Sequence, residues 1–387
     1  MLSHARIYPW PSAAAKVLVA VAVLIAVTEP AFCNGGPATA TAMNDTTPLS
    51  EPYRGFNVTN LDPATLNDAA KVWHANIVRY AIRIYFDSRV CHCSEAEAWD
   101  KVLRDLPAGL DAAKKLNMVV VLDMTQIPTV HHPQSREERS AFWDDDNNLK
   151  ALTLAWTQLA TICANRNQVI WFDLLNEPLN WNDMPGYPRK WPVWAQSLID
   201  RIRQIDQYHQ IVIEPGPGGK PSGFKTFPKL RGEGLIYSFH QYSPGNYTMQ
   251  RINITRGTDQ KNVFPQRELH WPFASFRLGG PSGDKEGLAE YMQPAVDFQK
   301  RYGVRMFVGE FSVARWAPDG AQWLSDNVEI FDQHHWDSTY QVFRENPIWS
   351  LEYSNDYQNP KNLQNTGQMT DRGQVMLKYL SHNLSGK

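Results

Sequence analysis

Two observations predict an α/β fold for this 387-residue chain, a single (β/α)8 barrel of eight parallel strands with a long loop after the sixth. Strand-like and helix-like segments alternate along almost the whole length, the pattern of a parallel sheet with right-handed crossovers, and eight such units close into a barrel. No Gly-rich phosphate turn follows the first strand-like segment, which argues against an open doubly wound sheet. Residues 54–58 read as the first strand and 63–74 as a helix. Residues 77–84 form the second strand, followed by an amphipathic helix over 95–116. Residues 118–124, Met-Val-Val-Val-Leu-Asp-Met, read as a strand buried on both faces, and 148–164 as a helix with apolar residues on one face. The fourth strand begins at Val169 and stops at Asn176-Glu177-Pro178, because Pro178 cannot continue the pairing. A helix over 193–207 leads to strands at 210–214, 235–242, 305–312 and 348–353, with helices over 287–302 and 322–345. The longest interruption, 243–285, is rich in Gly, Pro and aromatics and predicts a loop over the barrel mouth.

The chain has 38 Lys and Arg against 40 Asp and Glu, a formal net charge of -2. With no dense basic run, neither nucleic acid nor an anionic membrane surface is an expected partner. Its 14 tryptophans are well above ordinary usage, and such rings suit both the apolar faces of sugars and core packing.

Arg6 and Lys16 precede or open an apolar run over 17–27, and Pro30-Ala31-Phe32-Cys33 follows, the layout of a secretory signal peptide over 1–33. The run is short for a bilayer span. A secreted protein without stable membrane insertion is therefore expected, with an uncleaved anchor as the alternative. Residues 34–50 are expected to form a flexible leader and 51–387 the barrel domain, which is expected to act as a monomer. Once Cys33 is removed, Cys91, Cys93 and Cys163 allow one internal bridge at most. Cys91-His92-Cys93 lacks a second Cys/His pair at ligand spacing, so no metal site is expected. Sequons occur at Asn44, Asn57, Asn246, Asn253 and Asn383, and the one at Asn57 falls in a core strand.

Glu177 stands at the carboxyl end of a buried strand beside apolar side chains, where such barrels keep their chemistry, and is a candidate general acid. In Arg305-Met306-Phe307-Val308-Gly309-Glu310-Phe311, Glu310 closes a second apolar run, with Gly309 allowing close approach. A salt bridge would account for either Glu alone. Together, on strands four and seven of one barrel, they meet the need of a glycosidase for two carboxylates flanking one scissile bond. His240 and Tyr242 are two residues apart at the end of strand six, so both project from one side, where each can hydrogen-bond such a carboxylate. Arg79 is a cation on the apolar strand Asn76-Ile77-Val78-Arg79 and needs a partner, for which an ionised nucleophilic glutamate is suitable. Trp349 can floor a sugar site or fill the barrel.

Other chemistries fail on inspection. Around Pro217-Gly218-Gly219-Lys220-Pro221, Glu214 and Pro221 occupy the Gly and Ser/Thr positions of a phosphate loop. Gly280-Pro281-Ser282-Gly283-Asp284 lacks the second Gly of a nucleophile elbow. His131-His132 and His334-His335 are adjacent pairs, not the i, i+4 pairs that chelate a metal. A serine hydrolase, a nucleotide-dependent enzyme and a metalloenzyme are disfavoured, and no cofactor is expected.

With these residues assembled, the chain resembles the cellulase-like glycoside hydrolases of family 5, retaining enzymes on a (β/α)8 barrel, from Arg54-Gly55-Phe56-Asn57 through Trp349. Leu175-Asn176-Glu177-Pro178 is similar to the family's acid/base motif, which implies Glu177 as acid/base and Asn176 as donor to the 2-hydroxyl. Val308-Gly309-Glu310-Phe311 resembles the nucleophile segment, implying Glu310. Phe239-His240-Gln241-Tyr242 resembles the strand-six His-x-Tyr, Arg79 the strand-two arginine, and Trp349 the strand-eight aromatic platform, with Arg83 and Tyr353 as rivals of the last two. One departure is clear: where the family has Leu-Asp-x-His after strand three, this chain runs Leu122-Asp123-Met124-Thr125, so Thr125 or His131 must take the histidine's place. The resemblance implies hydrolysis of a β-linked oligo- or polysaccharide, β-1,4-glucan first, with β-mannan, β-1,3-glucan and glycosylated lipid as alternatives. A non-catalytic carbohydrate-binding barrel is the rival from another class.

Overall fold

The computed structural model describes residues 51–133, 135–252, 268–273, 283–359, 361–364 and 369–384. Eight parallel strands close a barrel in sequence order: β1 Arg54–Val58, β2 Ile77–Ala81, β3 Val119–Asp123, β4 Ile170–Asp173, β5 Gln210–Ile213, β6 Leu235–Gln241, β7 Arg305–Phe311 and β8 Asp337–Tyr340, with β8 paired back onto β1. Helices alternate with them, among them Glu95–Lys115, Asp146–Cys163, Trp191–Arg203, Lys285–Tyr302 and Gly320–Gln333. The first of these starts at a capping box, in which Ser94 accepts from the Glu97 amide and the Glu97 side chain accepts from the Ser94 amide.

Alternation along the strands sorts the barrel interior into layers. Ile77, Val119, Val121, Trp171, Val212, Ile236 and Phe307 form an apolar floor. Two residues beyond floor positions, β2, β3 and β4 carry Arg79, Asp123 and Asp173, and Glu214 follows β5, all fully buried. A charged layer therefore caps the floor.

β7 breaks the alternation. Its register shifts against β6 between Phe239 and His240, and against β8 between Val308 and Phe311. Because Phe307 faces the floor, strict alternation would turn Glu310 outward. The irregularity re-aims it toward the axis.

Two sequence expectations need correction. The eighth strand is Asp337–Tyr340, inside the segment expected to be a helix over 322–345, and 348–353 is not a strand. It was hidden because polar partners satisfy it. Asp337 pairs with Arg305 at 2.6 and 2.7 Å and accepts the Tyr53 amide at 2.8 Å, Ser338 hydrogen-bonds the Tyr379 hydroxyl at 2.9 Å, and Thr339 donates to the Gly309 carbonyl at 2.6 Å. The second strand ends at Ala81, and a helix over Ile84–Cys91 follows.

The expected loop over 243–285 carries a short helix, Gly245–Thr248, and a bridge between Phe273 and Gly283, while 253–267 and 274–282 lie outside the described residues. So do the expected signal peptide over 1–33, the leader over 34–50, and the sequons at Asn44 and Asn253. Asn57 is buried, its amide donating to the Gly309 carbonyl at 2.8 Å. Cys91 and Cys93 form a disulfide, and Cys163 is buried and free. Of the described tryptophans only Trp181 is not buried, so the aromatic surplus is chiefly core.

Candidate active site

Arg79 is the hub of the charged layer. Its Nε donates to Asp173 Oδ2 at 2.9 Å, its Nη1 to Asn57 Oδ1 at 3.1 Å and to Glu310 Oε1 at 3.0 Å, and its Nη2 to Asn176 Oδ1 at 2.9 Å and Glu214 Oε1 at 3.1 Å. Asp123 Oδ1 lies 3.0 Å from Nη2. One guanidinium cannot keep four carboxylates ionised in so dry a place. Burial, incompletely offset by Arg79, pushes Asp123 up to about 7 and Asp173 well above the ordinary carboxylate range. Glu214 moves the other way: burial would raise it, but His240 and Arg79 together hold it below its usual value.

Glu177 follows β4 with a φ of 48°, a backbone conformation that L-residues avoid. Its amide donates to Glu214 Oε2 at 3.1 Å, and its carboxylate meets His240 Nδ1 at 2.9 Å. His240 Nε2 in turn lies 3.2 Å from Glu214 Oε1. Burial opposes a charge on His240, yet Glu214 and Glu310 outweigh it and hold the ring well above its ordinary pKa, as an imidazolium. Gly219 and Gly309 press on this ring: a Cβ on Gly219, which has φ +70, would sit 2.9 Å from His240 Cγ, and one on Gly309 would sit 3.1 Å from Nε2. Across the site the Tyr242 hydroxyl donates to Glu310 Oε2 at 2.6 Å, and burial followed by that anion keeps the phenol protonated.

Single side-chain atoms of Glu177, His240 and Glu310 lie within 4.8 Å of one another. A metal bridging this trio would have to displace the proton that Glu214 and Glu310 favour on His240. What the arrangement offers is two carboxylates facing each other across a narrow gap, one on an imidazolium and one on an arginine and a phenol. Beside Glu177 a cleft of about 200 Å³ opens over the loops after β2, β3 and β4, lined in part by Tyr85, Thr125, His131, His132, Trp143 and Asn176.

Most of the residues singled out from sequence thus meet at one end of the barrel. Thr125 donates to Asp123 Oδ2 at the edge of the site, and His131 lines the cleft while lying 3.4 Å from Glu138. Arg83 lies 3.9 Å from Asp87, whereas Arg79 joins the carboxylate cluster. Neither Trp349 nor Tyr353 lies on β8. Trp349 follows it in a loop, 5% exposed, with its ring 6.1 Å from that of Tyr242 and tilted 46° to it. Asp123, Asp173 and Glu214 were not singled out from sequence, although each is an acid ending or following an apolar strand, the same signal that marks Glu310.

Residues 42–358 match the family described as Cellulase (glycosyl hydrolase family 5). Endoglucanase C of Acetivibrio thermocellus is 23% identical over 270 residues, which span 65% of this chain and 76% of that protein. Among solved structures, one described as a glycoside hydrolase superposes with a TM-score of 0.65 at 21% identity, covering 86% of this chain and 99% of the other. Thermotoga maritima Cel5A, solved in complex with mannotriose, gives 0.61 at 19% identity, covering 85% and 97%.

Proposed function

As a member of the cellulase family, glycosyl hydrolase family 5, the chain is an O-glycosyl hydrolase, and we propose that it cleaves β-1,4-glucan by double displacement with net retention. One observation carries the mechanism: one side-chain oxygen of Glu177 and one of Glu310 lie within 4.8 Å of each other, close enough for the narrower of the two carboxyl spacings. Retaining glycosidases hold their carboxyl groups about 5 to 5.5 Å apart, and inverting ones about 6.5 to 9.5 Å. Glu310 attacks the anomeric carbon, its charge held by Arg79 and its second oxygen aimed by Tyr242. Glu177 gives its proton to the departing oxygen, then takes one from the water that attacks the glycosyl-enzyme. Asn176, whose oxygen faces Arg79, has its amide nitrogen left for the substrate 2-hydroxyl. Thr125 takes the family histidine's place at the rim, and Trp349 stands beside Tyr242 as an apolar wall.

The endoglucanase relative supports a glucan substrate, while the mannotriose complex of the Thermotoga enzyme keeps β-mannan as the second reading. The apolar run over 17–27 behind a basic start supports export from the cell. Among the described residues no helix is long and apolar enough to cross a membrane. Replacing Glu310 with Gly should abolish turnover of aryl β-glycosides, with azide or formate restoring part of it through the vacated space. Near-native activity in that variant would refute the nucleophile assignment. Dye release from a panel of glucans and mannans, with product mapping, decides the substrate.

A further inference from the structure

Glu214 is fully buried, yet its carboxylate spans the site. Oε1 reaches Arg79 Nη2 at 3.1 Å and His240 Nε2 at 3.2 Å, and Oε2 accepts the Glu177 amide at 3.1 Å. Resting on the acid/base reading of Glu177, we propose that Glu214 is a positioning residue that holds Glu177 from both ends, through its backbone amide and, by way of His240, through its carboxylate.

Three further features fit this role. Glu177 sits at φ 48°, a conformation that persists only where surrounding contacts over-determine it, and the hydrogen bond from its amide is one such contact. The chain after β5 supports the next residue as well: the Gly218 amide donates to the Pro178 carbonyl at 3.0 Å, and a Cβ on Gly216, at φ +82, would meet that oxygen at 2.3 Å. The backbone of Glu214 is itself anchored, its carbonyl accepting from Trp191 Nε1 at 2.7 Å. The charged groups around Glu214 come from every neighbouring strand end: Arg79, Asp123, Asp173, Glu177, His240 and Glu310. Of these, only His240 joins it to the Glu177 carboxylate, and Glu310 reaches that ring no closer than 3.7 Å.

A misplaced general acid should slow substrates in proportion to how much their leaving group needs a proton. Glu214→Gln keeps the volume and an acceptor for the Glu177 amide but removes the anion facing His240. In the full-length protein, kcat/KM for phenyl β-cellobioside should fall by about 10- to 100-fold, while that for the activated 2,4-dinitrophenyl β-cellobioside should stay within about threefold of the parent. Equal losses on both substrates, or none on either, would overturn the proposal, since a merely structural carboxylate has no reason to distinguish aglycones. Should the Gln variant fail to fold, Glu214→Asp keeps the charge beside Arg79 but shortens the reach, and the same selective loss is expected. Glu177→Ala is measured alongside. A steep dependence on the aglycone there with none in Glu214→Gln refutes the role of Glu214 alone, whereas no dependence in Glu177→Ala removes the acid/base reading and this proposal with it.

Discussion

Arg79 is buried among Asp123, Asp173 and Glu214, with the partly exposed Glu310 at its edge, and the charge balance of that group sets how the folded state responds to pH. Asp123, at about 7 when folded against 3.8 when free, binds more protons folded than unfolded between those values. Asp173 shares this direction, and His240, raised above 6.5, extends it upward. Stability should therefore fall as pH rises from about 5 to about 8. Glu214, lowered from 4.5, acts oppositely and only in acid, where its contribution is lost as pH drops through its folded value. Thermal melts across this range test the sign, and Asp123→Asn should flatten the decline; a rise in Tm toward alkaline pH would contradict it. At this scale Glu177 and Glu310 stood out in the sequence as carboxylates ending apolar runs, and the structure brings their side chains together. Asp123, Asp173 and Glu214 carry a similar mark but were masked, because a buried acid is interpretable only once its cation is in sight.

Elements held by apolar periodicity were legible, and those held by polar partners were not. β3 and β4 declare themselves as apolar runs, while β8, Asp-Ser-Thr-Tyr, declares nothing until Arg305, Tyr379 and Gly309 stand beside it. The same holds for the loop after β8 that carries Trp349. Arg315 is buried beneath it, its Nε donating to the Pro347 carbonyl at 3.0 Å, its Nη1 to the carbonyl of Ser354, and its Nη2 to that of Asn362 at 2.5 Å. Arg372 does similar service for the carbonyls of Ser350 and Tyr353. Here a side chain replaces the ladder that a strand would have supplied. Arg315→Met, which keeps much of the stem, leaves three carbonyls without that partner and should destabilise the fold by about 3 kcal/mol, read from denaturant midpoints. A change within experimental scatter would mean that the loop finds other donors.

For the molecule as a whole, the single barrel was legible because parallel strands are covered on both faces and read as unbroken apolar runs. The count of eight came out correctly even though the eighth strand was placed too late in the chain, since helix and strand still alternated. Cross-links add little to this architecture. The Cys91–Cys93 bridge closes a loop with one intervening residue, and in a chain-entropy account so short a loop contributes less than about 2 kcal/mol. Replacing both cysteines with Ser should lower Tm by a few degrees at most and leave hydrolysis unchanged. A collapse of folding would show that the bridge fixes more than its own turn.

The inward placement of the tryptophans has an optical consequence. With Trp181 alone among the described indoles not buried, the native emission should be blue-shifted, and iodide quenching should be confined largely to Trp181, where the Arg136 guanidinium 4.2 Å from its ring centroid attracts the anion. Denaturant will move that signal strongly. Saccharide should act on it chiefly through Trp143 in the cleft and Trp349 beside Tyr242, so fluorescence is first a gauge of folding and only secondarily one of occupancy.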